Sequence, residues 1–277
     1  MKKYIVLAFF LCFAGGFILF SRTTHETSAP KILRIGVECD YAPNNWEDKN
    51  PSDFSVPLSN HEGFYADGYD IQIARIVAEK LGYTLEVKKL PWNHLIPALL
   101  RGEIDAIFSG MLDNKERKRM INFSDTYEVN ETEYAVIVNS STKYVMAAKL
   151  TDFNGAKFTA QKSTNLYSAI SQIPGAITLP AVDTVSEMIE AVTTGRADAS
   201  VLNLDTARSY EVTYHNLKVI RFPKGRGFKI GFSGICAGVR KNDKELLRNI
   251  NEAIDSIKKS ERRNIMEKVV ARLWKNL

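Results

Sequence analysis

The sequence predicts an α/β protein with two lobes, each a mainly parallel sheet flanked by helices, joined by a two-strand hinge. Three observations lead to this prediction. Apolar strands alternate with amphipathic helices along the chain. The segment LIPALLRGEIDA at 95–106 is echoed by MIEAVTTGRADA at 188–199. A late strand followed by two terminal helices is expected to return to the first lobe, so the chain would cross between lobes near Asn130–Glu133 and near Gly227–Gly234, as in hinged clamps.

The amino terminus predicts export. Lys2 and Lys3 precede the apolar run Tyr4–Phe20, and polar residues follow it, so residues 1–22 are expected to be a signal peptide or an uncleaved membrane anchor. The run is long for a signal core and slightly short for a membrane span, which leaves both alternatives open. In either case the rest of the chain would be periplasmic or at the cell surface, with membrane contact only through this segment.

The predicted first lobe follows the order β-α-β-α-β. Asp70 is expected to cap a helix whose apolar stripe ends at Gly82. Residues 51–67 are rich in turn residues and predict a surface loop or a loose hairpin. The other predicted elements are a strand at 32–37, a strand at 85–88, a helix over 92–100 and a buried strand at 104–108.

The predicted second lobe repeats this plan. In the echoed segments, Gly102 and Gly195 each close a helix, and Asp105 and Asp198 each enter a core strand. The predicted strands lie at 157–160, 177–179 and 199–202, and the predicted helices at 164–171, 185–194 and 205–214. The first lobe would comprise residues 31–131 with 233–277, and the second lobe residues 134–228.

Residues 105–127 are the stretch around which the predicted site is organised. A buried strand ends at Ser109 and Gly110 and leads into a charged helix at 114–120. Open α/β sheets bind ligands at the carboxyl ends of their strands. Arg117 in this helix is therefore expected to donate two hydrogen bonds to a carboxylate. The alternative is a solvated basic helix, whose other basic residues are Lys115, Lys118 and Arg119.

The sequence gives no indication of catalysis, and it predicts neither a metal nor a cofactor. It contains no G-x-S-x-G, no H-E-x-x-H, no phosphate-binding glycine loop and no clustered cysteines. Cys39 and Cys236 are expected to be buried thiols near strand ends. The net charge of +5 is spread over 277 residues and predicts no nucleic-acid partner. The four histidines are scattered and expected at the surface: His25, His61, His94 and His215.

The predicted ligand site lies where strand-end loops of the two lobes face each other. A guanidinium, aromatic rings and small polar groups together suit a small zwitterion. Tyr41, Trp46 and Tyr69 are expected to contact its side chain; the alternative for each is a structural role in the first lobe. The first lobe would contribute Glu38, Tyr41, Trp46, Tyr69, Ser109, Gly110, Met111 and Arg117, and the second Ser163, Thr164, Asn165 and Asn203.

Several stretches together resemble one family. They are LRIGVECDYAPNNW, GYDIQIARIVAEKLG, the block from Trp92 that contains IDAI, SGM and ERK, then FSDTY, GAKFTAQKSTN and GRADA, and they span nearly all of residues 31–277. The chain resembles the polar amino-acid-binding members of the periplasmic or extracellular solute-binding proteins that serve ABC transporters. The resemblance implies a type II periplasmic-binding-protein fold that closes on a polar, cationic L-amino acid and delivers it to the permease subunits of an ABC importer.

The resemblance also implies a contact for each part of such a ligand. The α-carboxylate would take Arg117 and the amides of Met111 and Thr164, the α-ammonium the Ser109 carbonyl and the Asn203 side chain, the aliphatic part Tyr41 and Tyr69, and the distal cation Glu38. The family usually has aspartate at Asn203, glycine at Lys162 and a small hydroxyl residue at Leu112. The first two departures leave a modified amino acid, a small peptide-like ligand or loss of binding as alternatives.

Two other functions fit the same clamp. A membrane-tethered amino-acid sensor would keep residues 1–22 as its anchor. An enzyme similar to the cyclohexadienyl dehydratases would need an acid over the ring of its substrate, and Glu38 is the candidate. The solute-binding protein is expected to act as a monomer.

Overall fold

A computed structural model describes residues 31–127, 133–223, 225–229 and 234–275 of the chain. The segment 1–22 and parts of both expected crossings lie outside these residues. Within the described ranges, no helix has the length and the apolar sequence needed to cross a membrane.

The described elements follow the predicted alternation of strands and helices. The strands are β1 (Ile32–Val37), β2 (Asp40–Tyr41), β3 (Asn45–Asp48), β4 (Val56–Pro57), β5 (Tyr65–Asp67), β6 (Thr84–Lys89), β7 (Ala106–Ile107), β8 (Asn122–Thr126), β9 (Tyr134–Asn139), β10 (Lys157–Thr159), β11 (Ile177–Thr178), β12 (Ala199–Asn203), β13 (Leu217–Ile220) and β14 (Cys236–Val239). The helices are α1 (Tyr69–Leu81), α2 (Leu95–Leu100), α3 (Lys115–Met120), α4 (Asn165–Ala169), α5 (Val185–Thr193), α6 (Leu204–Thr213), α7 (Lys244–Asp255) and α8 (Lys259–Lys275). Short 3-10 turns precede α2 at Trp92–His94 and follow α4 at Ile170–Gln172.

Two five-stranded sheets share one plan. The first has the order β6-β1-β7-β14-β8 and the second the order β11-β10-β12-β9-β13. In each sheet four strands run in the same direction, and the fourth strand of the order, β14 or β9, is antiparallel to its neighbours. The mainly parallel sheets and the late strand that returns to the first sheet were both predicted. We refer to each sheet with its packed helices as a lobe.

The echoed aspartates make the same contacts in the two lobes. The backbone amide of Asp105 donates to the carbonyl of Arg34 at 2.7 Å, and the amide of Arg34 donates to Asp105 Oδ2 at 3.1 Å. Asp198 and Lys157 exchange the equivalent pair of hydrogen bonds, both at 2.8 Å. Each aspartate thus fastens the end of a helix-to-strand turn to the adjacent parallel strand of its sheet, β1 for Asp105 and β10 for Asp198.

Helix α1 begins two residues before the predicted start, and the prediction that Asp70 is its N-cap is wrong, because Gly68 occupies that position. The first two helical amides donate to the carbonyls of Pro43 and Asn44 at 3.1 and 2.8 Å. Backbone acceptors therefore satisfy donors that a capping side chain would otherwise serve. The carboxylate of Asp70 is buried and accepts a hydrogen bond from Asn45 Nδ2 at 2.7 Å. The predicted end of the helix is confirmed, because Gly82 adopts φ 67° there.

Strands β8 and β9 were not predicted. The segment β8 reads NFSDT, which carries little apolar signal, although it forms one edge of the first sheet. The segment β9 reads YAVIVN and is almost fully buried between β12 and β13. The loose hairpin expected within 51–67 is present as the antiparallel pair of β4 and β5, in a small four-stranded sheet with β2 and β3. Cys39 and Cys236 are buried thiols, as predicted.

The two echoed aspartates offer a matched test of stability. Asp105 also accepts hydrogen bonds from Arg34 Nε and Nη2 at 2.9 and 2.8 Å, and from Arg240 Nη2 at 3.2 Å. We expect Asp105→Ala to lower the free energy of unfolding by roughly 2–3 kcal/mol, because hydrogen bonds to charged groups are lost. Asp198→Ala, which removes one neutral amide contact, should cost about 1 kcal/mol. Equal losses in urea unfolding would contradict the role assigned to the arginines.

Candidate ligand site

A cavity lies where strand ends of the two lobes face each other. Eight of the predicted site residues line it: Glu38, Tyr41, Ser109, Gly110, Arg117, Thr164, Asn165 and Asn203. Five further lining residues were not predicted: Trp92, Leu112, Tyr134, Gln161 and Leu166. The cavity is therefore built from both lobes, with polar groups on each side.

Arg117 points inward from a helix that is otherwise solvated. The three other basic residues of α3, Lys115, Lys118 and Arg119, are exposed, whereas Arg117 is buried. Asn114 caps the helix by accepting a hydrogen bond from the amide of Arg117 at 2.9 Å. Both interpretations of the basic stretch thus describe part of the helix.

Protein groups of both lobes contact the guanidinium of Arg117. Nη1 donates to the carbonyl of Leu112 at 2.9 Å, and Nη2 donates to the carbonyl of Ser163 across the cleft at 3.0 Å. The Trp92 ring lies beneath it, with its centroid 4.9 Å from the guanidinium carbon. Burial lowers the pKa of Arg117 to about 10, so the side chain remains charged at neutral pH. Among the described residues no carboxylate forms a salt bridge with it, which leaves a buried cation available to an anion.

The side chain of Asn165 adds a hydrogen-bond donor to the same cavity. Asn165 Oδ1 accepts a hydrogen bond from Asn114 Nδ2 at 2.9 Å, so Asn165 is held across the cleft. Asn165 Nδ2 is buried and has no hydrogen-bond partner in the described part of the chain. A buried donor without an acceptor is costly, and an anion in the cavity would satisfy it.

Glu38 places a buried carboxyl group on the same cavity. It follows β1, and its amide donates to Ser109 Oγ at 2.9 Å. Its carboxylate accepts a hydrogen bond from Gln161 Nε2 of the second lobe. Burial, together with the nearby charge of Asp40, raises the pKa of Glu38 from its usual 4.5 to about 8, although the hydrogen bond from Gln161 opposes that change.

Tyr41 and Gly110 pack closely at the base of the cavity. Gly110 has φ 62°, and a Cβ at this position would lie 2.8 Å from the Tyr41 ring. Only glycine combines this backbone conformation with so close an approach. The ring of Tyr41 also packs against the apolar core of the second lobe, so it bridges the two lobes.

Four predicted site residues lie elsewhere. Tyr69 is fully buried in the first lobe, where its hydroxyl donates to the carbonyl of Tyr127 at 2.6 Å, so its side chain does not line the cavity. Met111 is buried beside α2, and its carbonyl accepts from the amide of Cys236. Trp46 lines a neighbouring cleft of about 1340 Å³ on the other side of Glu38. Ser163 contributes its carbonyl, while its side chain is exposed.

Trp92 and Gln161 were missed for different reasons. Trp92 recurs at helical spacing with the apolar residues of α2, which predicted a place in the core. It lies instead in a 3-10 turn after β6, and its Nε1 donates to the carbonyl of Ser163 at 3.2 Å. Gln161 comes two residues after the end of β10. Because open α/β sheets bind ligands at the carboxyl ends of their strands, this position could have predicted a side chain that faces the cleft.

Comparison with known proteins identifies the family. The sequence model of the bacterial extracellular solute-binding proteins, family 3, matches residues 33–271. The chain belongs to this family. The resemblance noted from its sequence motifs is thereby confirmed.

Similar proteins agree with this membership. The arginine-binding extracellular protein ArtP of Bacillus subtilis (strain 168) is 25% identical over 257 residues, which are 92% of either chain. A crystal structure of the substrate binding protein of an amino acid ABC transporter is 28% identical, with a TM-score of 0.71 over 86% of this chain and 98% of that one. An ancestral arginine-binding protein bound to arginine is 28% identical, with a TM-score of 0.70 over 86% and 97% of the two chains. These matches confirm the predicted fold class.

The raised pKa of Glu38 makes stability depend on pH. A carboxyl whose pKa is higher in the folded state binds its proton more tightly there, so its contribution to stability is complete below the unfolded pKa of 4.5 and is lost as pH rises through about 8. We expect the free energy of unfolding to fall between about pH 5 and pH 8.5 in the native sequence, and less steeply in Glu38→Gln. The exposed Glu62→Gln variant is the control and should keep the native slope. Urea titrations at both pH values measure the difference, and identical slopes in all three proteins would refute it.

Proposed function

We propose that this solute-binding protein captures a cationic L-amino acid between its lobes and delivers it to an ABC importer. The observation that carries the proposal is a buried guanidinium, Arg117, and a buried carboxyl group, Glu38, on one cavity. Neither forms a salt bridge within the described residues. A ligand with a carboxylate at one end and a cation at the other complements both. ArtP and the ancestral protein, whose names refer to arginine, support this ligand class.

The proposed contacts at the amino-acid end follow from the donors and acceptors of the cavity. The α-carboxylate takes Arg117, with the Thr164 amide and the Asn165 side chain. The Ser109 carbonyl and the Asn203 side chain face the α-ammonium. Asn203 is neutral, so it supplies a hydrogen bond to the ammonium and no ion pair.

The proposed contacts at the side-chain end combine two rings with one acid. Tyr41 and Trp92 enclose the aliphatic part of the ligand, with Trp92 in the place first assigned to Tyr69. Glu38 pairs with the distal cation, and the ion pair favours the ionised form of this acid. Trp46, in the neighbouring cleft, has no direct contact in this proposal.

Ligand capture is proposed to couple to lobe closure. Because the groups that touch the ligand come from both lobes, binding energy favours the closed arrangement. The lobe boundaries, 31–131 with 233–277 and 134–228, are part of the proposal and are supported by sheet membership. In this proposal residues 1–22 act as a signal peptide or an anchor. The protein is exported and lies outside the cytoplasmic membrane.

A ligand panel tests the proposed class. Thermal unfolding of residues 31–277 should shift upward by several degrees with lysine, ornithine or arginine, because a ligand at a hundred times its Kd stabilises the fold by about 2.7 kcal/mol. Arg117→Ala should abolish the shift. The control is Lys118→Ala, which changes an exposed residue of the same helix and should keep it. If no amino acid raises the unfolding temperature, the proposed ligand class is wrong. If Arg117→Ala shows the same shift as the native protein, Arg117 does not bind the ligand.

The acid of the site predicts a pH-dependent affinity. Below about pH 8 a cationic ligand must displace the proton of Glu38, so its affinity should rise with pH by up to about tenfold per unit and level off above that value. Calorimetry at several pH values measures this rise. Glu38→Gln should bind cationic ligands weakly and without this pH dependence. If the native protein and Glu38→Gln show the same profile, Glu38 does not contact the cation.

A further inference from the structure

Asp40 joins the two lobes at a point outside the ligand cavity. It lies in β2, in the part of the chain that belongs to the first lobe. Its Oδ2 accepts a hydrogen bond from the backbone amide of Ser186 at 2.9 Å, and its Oδ1 accepts one from Ser186 Oγ. Ser186 is in the first turn of α5, in the second lobe. Both residues line the neighbouring cleft that contains Trp46, and neither lines the ligand cavity.

The start of α5 leaves one of its donors to the other lobe. The first amides of a helix have no partner within it. Thr184 Oγ1 accepts from the amide of Glu187 at 3.1 Å, and the Glu187 carboxylate accepts from the amide of Asp183 at 2.9 Å, so these groups form a capping box within the second lobe. The amide of Ser186 is served by Asp40 instead. An acid at this position also interacts favourably with the positive end of the helix dipole.

This contact depends on the arrangement of the lobes. Asp40 and Ser186 are 146 residues apart in the chain and lie in different lobes, so separation of the lobes would exchange their hydrogen bonds for bonds to water. A contact made only in the closed arrangement shifts the equilibrium towards it. Ser186 is exposed, and water competes for both hydrogen bonds, so the shift is expected to be modest.

We propose that Asp40 is a positioning residue for ligand capture, which holds the first turn of α5 against the first lobe and slows ligand release without touching the ligand. This inference rests on the lobe closure of the proposed function. Asp40 also lies close enough to Glu38 for its charge to act on that carboxyl group. The test must therefore separate closure from attraction of a cationic ligand.

Release kinetics test this role. Stopped-flow fluorescence with L-arginine and with L-lysine follows release, because Trp92 lines the cavity. Asp40→Ala should release the bound amino acid about fivefold faster, the effect of losing an acid that caps a helix. Asp40→Asn should stay within about twofold of the native rate, because its amide group can accept from the Ser186 amide and donate to Ser186 Oγ, and only the charge is lost.

The partner residue separates closure from attraction. Ser186→Ala keeps the charge of Asp40 and removes one of the two hydrogen bonds, so release should be about twofold faster. Once Asp40 is alanine, the hydroxyl of Ser186 no longer has this partner, and the double variant should be no faster than Asp40→Ala alone. The control is Asp183→Asn, which changes an exposed acid directly before the cap residue of the same helix and should keep the native rate.

Three results would overturn the inference while the proposed function stands. They are a native release rate in Asp40→Ala, a rate about tenfold above native in the double variant, as independent effects would give, and slower association with unchanged release, as loss of long-range attraction would give. If Asp40→Ala does not fold, Ser186→Ala carries the test, and a native release rate in that variant overturns the inference. If neither arginine nor lysine binds the native protein, the proposed function is overturned instead.

Discussion

The burial of one guanidinium constrains the whole cleft. An arginine removed from water needs acceptors for its donors, and Arg117 finds them in the carbonyls of Leu112 and Ser163 and in the face of Trp92. The end of β7, the short helix α3, the turn before α2 and the loop after β10 must all be in place to supply these groups. The buried charge of Arg117 therefore depends on acceptors from both lobes and on the contact between them.

Much of the fold could be predicted because both lobes obey simple periodicities. The echoed glycines and aspartates marked equivalent turns, and the aspartates make equivalent hydrogen bonds. Arg117 could also be selected, since a strand end followed by a charged helix is a common anion site. The strand β9 was missed because an unbroken apolar run next to an expected crossing carries no alternation.

The aromatic residues of the site could not be assigned from periodicity. The rotation of α1 decides where Tyr69 points, and that rotation depends on hydrogen bonds from the start of the helix to the carbonyls of Pro43 and Asn44. These are distant backbone contacts that no side-chain pattern encodes. Trp92 shares the spacing of the core residues in α2, but the intervening 3-10 turn changes its phase and directs it to the cleft.

The contact between Ser163 and the first lobe is made by a backbone carbonyl, which accepts hydrogen bonds from both Arg117 and Trp92. Its direction depends on the left-handed backbone of Ser163, at φ 60°, and not on the side chain, which is exposed. The residue at this position must therefore tolerate a positive φ. Glycine, asparagine and aspartate would keep the carbonyl in place, whereas β-branched residues, which avoid this conformation, would turn it away. The side chains of this loop can therefore change without loss of the contact between the lobes, because a backbone carbonyl makes that contact.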